Sequence, residues 1–168
     1  GMLIDLGTKG ISIAVEEGTP APQVGIKSIE SAGRSGFMLE TRDGWLIVDR
    51  NWNSHDELGT KKFKRCKYLG EDVIYLMKPG NYFFSSRYGK FSFVGNPVKN
   101  FDSGFVLTLL KDEGKYVYLT PEGENFFEQK FSNATPFKDG YAAVKMRRGW
   151  TIIDANGRAK SLDSFGEI

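Results

Sequence analysis

Short apolar runs, separated by turn residues, recur along this chain about every 34 residues. A glycine-containing pair precedes each run, which is typical of tight β-hairpin turns because Gly and Asn tolerate positive φ. These pairs are Lys9-Gly10, Asp43-Gly44, Gly80-Asn81, Gly114-Lys115 and Arg148-Gly149. We call the residues that open the five runs the anchor residues, and they are Ile11, Trp45, Tyr82, Tyr116 and Trp150.

A second turn is predicted at the end of each run. Asp, Ser or Thr at the first position and Gly at the fourth favour a type I β-turn, and Asp154 to Gly157 fits this pattern. Seven residues after the anchor residue, four of the runs have a glycine, and the second run has Trp52 instead. These glycines are Gly18, Gly89, Gly123 and Gly157. A first strand precedes each turn pair and begins near Leu3, Phe37, Val73, Phe105 and Tyr141.

The predicted strands are apolar on both faces. Along 105–110, Phe105 and Leu107 alternate with Val106 and Leu110, which indicates that both faces are buried. Since a lone hairpin cannot supply such burial, neighbouring units must pack together. If Trp150 is buried in this way, loss of its indole costs about 3–5 kcal/mol.

The sequence therefore predicts an all-β fold of about five tandem antiparallel β-hairpin repeats, each of about 34 residues. A curved sheet or solenoid-like stack is the expected arrangement, and a closed, propeller-like ring is the alternative. Residues 1–168 are predicted to form a single repeat domain. Its predicted units are 3–36, 37–72, 73–104, 105–140 and 141–168.

Composition supports this interpretation and excludes several classes of protein. Twenty glycines and an aromatic fraction of 14% favour strands and turns over helices. The net charge of +2 makes nucleic acid an unlikely partner for the whole chain. A single cysteine excludes an internal disulfide. No apolar run is long enough to span a membrane, and the first residues do not resemble a signal peptide.

The last unit resembles the WG-containing (KWG) repeat family. The resemblance rests on Phe137 to Val144, Gly149 to Asp154 and Asn156 to Arg158, and it is looser in 101–123 and 36–49. The order of the Trp-Gly pair is inverted here, because Gly149 precedes Trp150. The resemblance implies a bacterial repeat protein, often an interaction module of unknown function, and it supplies no catalytic residues.

Two candidate sites lie in the polar segment that follows the second run. Asp49, Asn51 and Asn53 match the first positions of a calcium-binding loop, but Ser54 stands where that loop needs glycine, so a polar turn is favoured. His55 is the only histidine, which excludes a multi-histidine zinc site, and we expect an exposed loop histidine. An enzyme with a site near His55 remains a third functional class.

The residues that follow include a free thiol and the one basic run. Cys66 lies between Arg65 and Lys67, which could lower its pKa and make it reactive, although a structural or merely exposed thiol is favoured. Read as one strand, Lys61 to Lys67 carries basic side chains on both faces. This pattern favours an edge strand that lysines protect from aggregation over a phosphate-binding segment.

We therefore predict a non-enzymatic binding or scaffold module that recognises a protein or peptide through its repeat loops. Binding of a carbohydrate or cell-surface glycan through exposed aromatic rings is the alternative. No cofactor or metal is predicted, and the sequence does not determine the oligomeric state. A cytoplasmic location is expected, with a secreted or cell-surface location possible if a leader precedes this sequence. The candidate ligand surface comprises Trp52, His55, Lys62, Lys64, Arg65, Tyr68 and Tyr88.

Overall fold

The computed structural model describes residues 3–7, 10–14, 25–92 and 95–160, and of the first two ranges it describes the backbone alone. Within these ranges the protein is built from antiparallel strands and one short 3-10 helix, Gly33–Ser35. This confirms the predicted all-β, hairpin-containing class. The described residues contain no helix long and apolar enough to cross a membrane. The chain divides into two compact units, the N-terminal unit Gly1–Phe93 and the C-terminal unit Val94–Ile168.

The N-terminal unit contains a six-stranded sheet and a four-stranded sheet, and neither closes on itself. The first sheet has the order β1-β2-β3-β4-β5-β6, and its strands are Leu3–Gly7, Gly10–Ala14, Ile26–Ser31, Phe37–Thr41, Gly44–Val48 and Lys62–Phe63. The second sheet has the order β10-β9-β8-β7, and β7 to β10 are Arg65–Gly70, Val73–Met77, Asn81–Ser85 and Gly89–Ser92. Strands β6 and β7 are therefore edge strands of different sheets.

The C-terminal unit contains a three-stranded sheet of order β11-β12-β13 and a hairpin of β14 and β15. Their bounds are Asn96–Pro97, Val106–Leu110, Lys115–Leu119, Tyr141–Met146 and Gly149–Asp154. The apolar segment that follows β13, up to Phe131, forms turns and no named strand. It rejoins the sheet at Phe131, which pairs with Tyr116 in an isolated bridge.

Each anchor residue is the second residue of the second strand of a hairpin, as the apolar pattern predicted. The predicted turn pairs, however, were misplaced. Gly44 and Gly149 already pair within the ladders, opposite Thr41 and Met146, so the loops lie just before them. Loop length also varies, because Met77 pairs with Asn81 whereas Leu110 pairs with Lys115. The turn positions were predicted wrongly because Gly and Asn can occupy the first position of a strand as well as a position in the turn.

The turn after the second strand has the same hydrogen bonds in three hairpins. The amide of Gly157 donates to the carbonyl of Asp154 at 2.9 Å, and the amide of Asp154 donates to Arg158 O at 3.0 Å. The Asp154 carboxylate accepts from the Asn156 and Arg158 amides, and the bond from Arg158 is the main cause of a lowered Asp154 pKa. Thr120 and Asp49 take the place of Asp154 in the other two turns, where their carbonyls and amides form the equivalent hydrogen bonds. Gly18 lies outside the described residues.

Trp52 adopts the same backbone conformation as the glycines it replaces. Its φ is 67°, against 87° for Gly123 and 79° for Gly157. A bulky residue seldom adopts this left-handed conformation. The Trp52 indole stacks on Phe37 with ring centroids 4.0 Å apart, and this packing helps to hold it there. The sequence pattern therefore broke at Trp52, but the turn did not.

Both faces of the β4–β5 hairpin are buried, as expected for strands that are apolar on both parities. Met38 and Ile47 join one hydrophobic cluster, and Leu39 and Val48 join another. In the C-terminal unit a hydrophobic cluster combines aromatic rings with aliphatic side chains, and it includes Tyr118, which is 0% exposed.

The predicted burial of Trp150 was wrong, because its side chain is 53% exposed. It lies on the same face of the β14–β15 hairpin as Lys145, its cross-strand partner. Ala142, Val144 and Ile153 point to the other face, and they are the residues of this hairpin that enter the core.

Candidate functional site

An open pocket of about 730 Å³ lies within the C-terminal unit. One wall is the face of the β14–β15 hairpin that carries Val144 and Ile153, since alternation places Met146 and Thr151 on that face as well. The opposite wall comes from the segment after β13. The remaining lining residues are Phe126, Phe127, Gln129, Phe131, Arg147, Arg148, Asn156, Gly157 and Ala159. We call this cavity the aromatic pocket.

The aromatic wall is fixed at its base and open at its rim. Phe127 contacts the rings of Phe105 and Tyr118 at centroid distances of 5.0 and 5.7 Å, so its position is set by the core. Phe126 is 52% exposed, and Met146 on the facing strand is 43% exposed. Large apolar side chains that remain open to solvent around a concavity are typical of a binding site.

Positive charge flanks these apolar walls. Arg147 and Arg148 form the two-residue loop between β14 and β15, and both are exposed. Among the described residues, neither arginine takes part in a recorded ion pair. Guanidinium groups form bidentate hydrogen bonds with carboxylates. The pocket therefore suits a ligand that carries an apolar group next to an acidic one.

This pocket could not be predicted from the sequence alone. In the sequence, Phe126 and Phe127 are an isolated aromatic pair, and Arg147 and Arg148 are adjacent arginines at a predicted turn. An adjacent pair of arginines in a hairpin loop was the available signal. Its meaning depends on the aromatic segment that the turn at Thr120 to Gly123 brings to the same place.

The side chains of His55 and Trp52 make contacts within the fold. The expectation of an exposed loop histidine was wrong, because His55 is half-buried, with Nε2 2.7 Å from the carbonyl oxygen of Ser35. Its ring contacts Phe84 edge-on at 4.7 Å. The Trp52 ring faces Phe37, whose ring also lies 5.0 Å from the Arg50 guanidinium.

The two predicted tyrosines differ in exposure. Tyr88 is 41% exposed, and the Arg87 guanidinium lies 5.0 Å from its ring. Tyr68 is half-buried, and its hydroxyl oxygen accepts a hydrogen bond from the Asp72 amide at 3.1 Å. Tyr88 is therefore the more accessible of the two tyrosines for contact with a ligand.

The basic run lies at two sheet edges, but it is not one strand. It breaks at Lys64, whose amide donates to the carbonyl of Lys78 at 2.6 Å. Phe63 is 1% exposed and belongs to the core, while Arg65 points to solvent. Lys62 and Lys64 line a second, polar groove of about 560 Å³ within the N-terminal unit.

The calcium-loop pattern corresponds to a self-capped turn. The Asp49 carboxylate accepts hydrogen bonds from the amides of Asn51 and Asn53 at 2.8 and 2.9 Å. A turn in which the first carboxylate accepts hydrogen bonds from the following amides is the polar turn that the sequence favoured. The described residues hold no group of three or more His, Cys, Asp or Glu that could bind a metal.

The environment of Cys66 raises its pKa, contrary to the lowering that Arg65 and Lys67 could have caused. Burial is the largest cause, and the negative charges of Glu30 and Glu40 add to it, so the pKa of the thiol rises to about 12. Cys66 packs against the core of the N-terminal unit. These findings favour a structural thiol.

We predict that Cys66 reacts with a disulfide reagent at least about tenfold more slowly in the native protein than in denaturant, because little thiolate is present. As the only cysteine, it gives a single absorbance progress curve at mildly alkaline pH. Because the folded-state pKa is raised, the stability contributed by the protonated thiol is present below pH 9.0 and lost as the pH rises toward about 12. Equal native and denatured reaction rates would contradict this assignment.

Comparison of the chain with protein-family models, with curated proteins and with solved structures found no match.

Proposed function

We propose that this chain is a non-enzymatic binding module, and that the aromatic pocket holds an extended segment of a protein or peptide partner. The observation that carries the proposal is the combination of a pocket of about 730 Å³, exposed apolar rims at Phe126 and Met146, and two adjacent exposed arginines. The partner segment places an apolar or aromatic side chain between the walls and an acidic residue against the Arg147–Arg148 loop.

The dimensions and chemistry of the pocket support a peptide. It is open to solvent, and its size suits one or two large side chains. Aromatic and arginine residues commonly dominate the energetics of protein interfaces. His55, by contrast, is packed on Phe84 and lies against the Ser35 carbonyl, which supports a structural over a catalytic role.

A repeat architecture is part of the same proposal. Five hairpins share one anchor position, and three of them share the same closing turn, which supports tandem copies of one unit. We extend this to about five units in an open, solenoid-like array related to the WG-repeat family. In such arrays the loops of successive units vary while the strands are retained, so binding residues accumulate in loops. Arg147 and Arg148 occupy such a loop.

The test is selection of peptides from a random displayed library on the full chain, followed by measurement of Kd by fluorescence polarisation. Selected peptides are expected to share an apolar residue beside Asp or Glu. The double variant Arg147→Glu, Arg148→Glu should weaken their binding about tenfold or more, because it replaces attraction by repulsion. Phe126→Ala should also weaken binding, because this exposed ring forms the rim.

The matched control is Lys111→Glu with Lys115→Glu. These lysines are exposed in and beside the β12–β13 loop, and they do not line the pocket. The control should change Kd by less than about twofold. Failure to select any peptide, or equal losses in both double variants, would refute the proposal. Selective binding on a glycan array that depends on Tyr88 would instead support the carbohydrate alternative.

A further inference from the structure

The polar groove of the N-terminal unit collects cations from separate parts of the chain. Its volume is about 560 Å³, and its lining also includes Trp45. Strand β3, the β4–β5 loop, the region around β6 and the β8–β9 loop all contribute to it. The five basic residues that line it are Lys27, Arg42, Lys62, Lys64 and Lys78. We call this cavity the cationic groove.

Protection of an edge strand does not account for this arrangement. Lys62 and Lys64 lie on or beside the edge strand β6, so edge protection could explain them. Lys27 belongs to β3, which pairs on both sides, with β2 and β4. Lys78 belongs to the β8–β9 hairpin loop and not to an edge strand, although its carbonyl accepts a hydrogen bond from the Lys64 amide. The convergence of these side chains on one concavity therefore calls for another reason.

The two carboxylates in the lining leave the groove positively charged. Asp43 lies 3.8 Å from the Lys62 amine, so this contact offsets part of one positive charge. Glu40 accepts a hydrogen bond from the Ser28 hydroxyl at 3.0 Å. Within the described residues, Lys62–Asp43 is the one recorded ion pair that involves a residue of the groove. Five cations thus face two anions.

Trp45 adds a flat apolar surface to the charged walls. It is half-buried, because part of its ring packs on the core around Ile47 and Phe63. Its strand pairs with β6 at Phe63, which fixes the backbone beside the groove. The exposed part of the indole can stack on a planar or cyclic group.

We propose that the cationic groove binds an oligophosphate, meaning a chain of two or more linked phosphate groups. Such a ligand carries several linked negative charges, so it can contact cations from different elements at the same time. Lysine ammonium groups bind phosphate oxygens as point charges, and Arg42 can bind two oxygens at once. The phosphate chain can be free or can be part of a nucleotide, in which case the base stacks on Trp45.

The probes are inorganic tripolyphosphate, a nucleoside triphosphate and inorganic sulfate, each titrated into the full ¹⁵N-labelled chain. The chain has three tryptophans, so the indole N–H resonances of Trp45, Trp52 and Trp150 can be followed separately. Tripolyphosphate should bind and shift the Trp45 signal while leaving that of Trp150 unchanged. Tighter binding of the nucleotide would identify a nucleotide source, and equal binding would identify the phosphate chain alone.

The decisive variant is Lys64→Glu with Lys78→Glu, because both side chains are exposed and line the groove. Its affinity for tripolyphosphate should fall about tenfold or more, since two attractive contacts become repulsive. The matched control, Lys61→Glu with Lys67→Glu, alters exposed lysines of the same basic run that lie outside the lining. It should retain affinity within about threefold.

Added salt should weaken tripolyphosphate binding in the parent protein. The proposal is overturned if tripolyphosphate binds no more tightly than sulfate, if the Trp45 signal does not move, or if both double variants lose equal affinity. Far-UV circular dichroism of the two variants ensures that a loss is not caused by unfolding. These outcomes are independent of the aromatic pocket, which belongs to the other unit.

Discussion

Replacement of Tyr118 by alanine is expected to lower the free energy of unfolding by about 3–5 kcal/mol. The side chain is 0% exposed, and its ring contacts Phe131 and Phe137 at centroid distances of 5.9 and 4.9 Å. Its hydroxyl donates a hydrogen bond to the Thr135 carbonyl at 2.6 Å, and burial raises the pKa of the phenol. Removal of the ring leaves a large cavity among rigid rings and an unpaired carbonyl. Chemical denaturation of the full chain measures the loss.

Two further variants separate the causes. Tyr118→Phe keeps the ring and removes only the hydrogen bond, so it should cost about 1 kcal/mol. Trp150→Ala removes a larger side chain that is 53% exposed, and it should cost less than about 1 kcal/mol. If Trp150→Ala proved as destabilising as Tyr118→Ala, Trp150 would be buried in solution, and the sequence-based expectation would be restored.

The contrast between Tyr118 and Trp150 shows what a periodic pattern can predict. The spacing of the anchor residues predicted the hairpins, because turn chemistry and apolar runs are local properties of the chain. Burial of a given residue depends instead on which other segment covers its strand. Tyr116 is half-buried, and Phe131 pairs with it. Trp150 occupies the same place in its hairpin, but no described segment outside the hairpin pairs with it.

Trp52 illustrates the opposite limit. Glycine is preferred at a left-handed position because it has no Cβ, so a tryptophan there reads as a break in the pattern. The backbone nevertheless adopts φ 67°. Stacking on Phe37 supports that conformation, and so do the hydrogen bonds that the Asp49 carboxylate accepts from the amides of Asn51 and Asn53. Because Phe37 lies fifteen positions before Trp52, local turn rules could not reveal this stacking.

For the candidate sites too, the residue types were visible in the sequence, whereas their positions relative to one another were not. The basic run was visible in the sequence, but the cationic groove was not, because Lys27 and Lys78 join Lys64 only through the pairing of strands. Arg147 and Arg148 were visible as adjacent arginines at a predicted turn. The aromatic segment at Phe126 faces the same cavity only because a turn reverses the chain after β13. Composition thus predicted the chemistry available, while tertiary structure determined where it converges.

Replacement of Gly36 by alanine is expected to destabilise the protein by about 3 kcal/mol or more, which approaches the whole stability of many domains. Gly36 has φ 112° and ψ −130°, a region that L-residues avoid, and it ends the 3-10 helix before β4. An added Cβ would overlap the carbonyl oxygen of Val48 and lie 2.7 Å from the Cα of Asp49. Both are backbone atoms of the adjoining turn, so no side-chain rotation can relieve the overlap.

Gly104→Ala is the matched control, because it separates backbone strain from steric overlap. Gly104 also has a positive φ, of 90°, but a Cβ there would meet nothing within 4 Å. It should therefore cost about 1–2 kcal/mol, the conformational part alone. Denaturation midpoints of the two variants give the comparison, and failure of Gly36→Ala to fold while Gly104→Ala folds agrees with it. Equal costs for the two variants would mean that the turn at Val48 and Asp49 can move away, and that the close approach of Gly36 does not hold β4 in place.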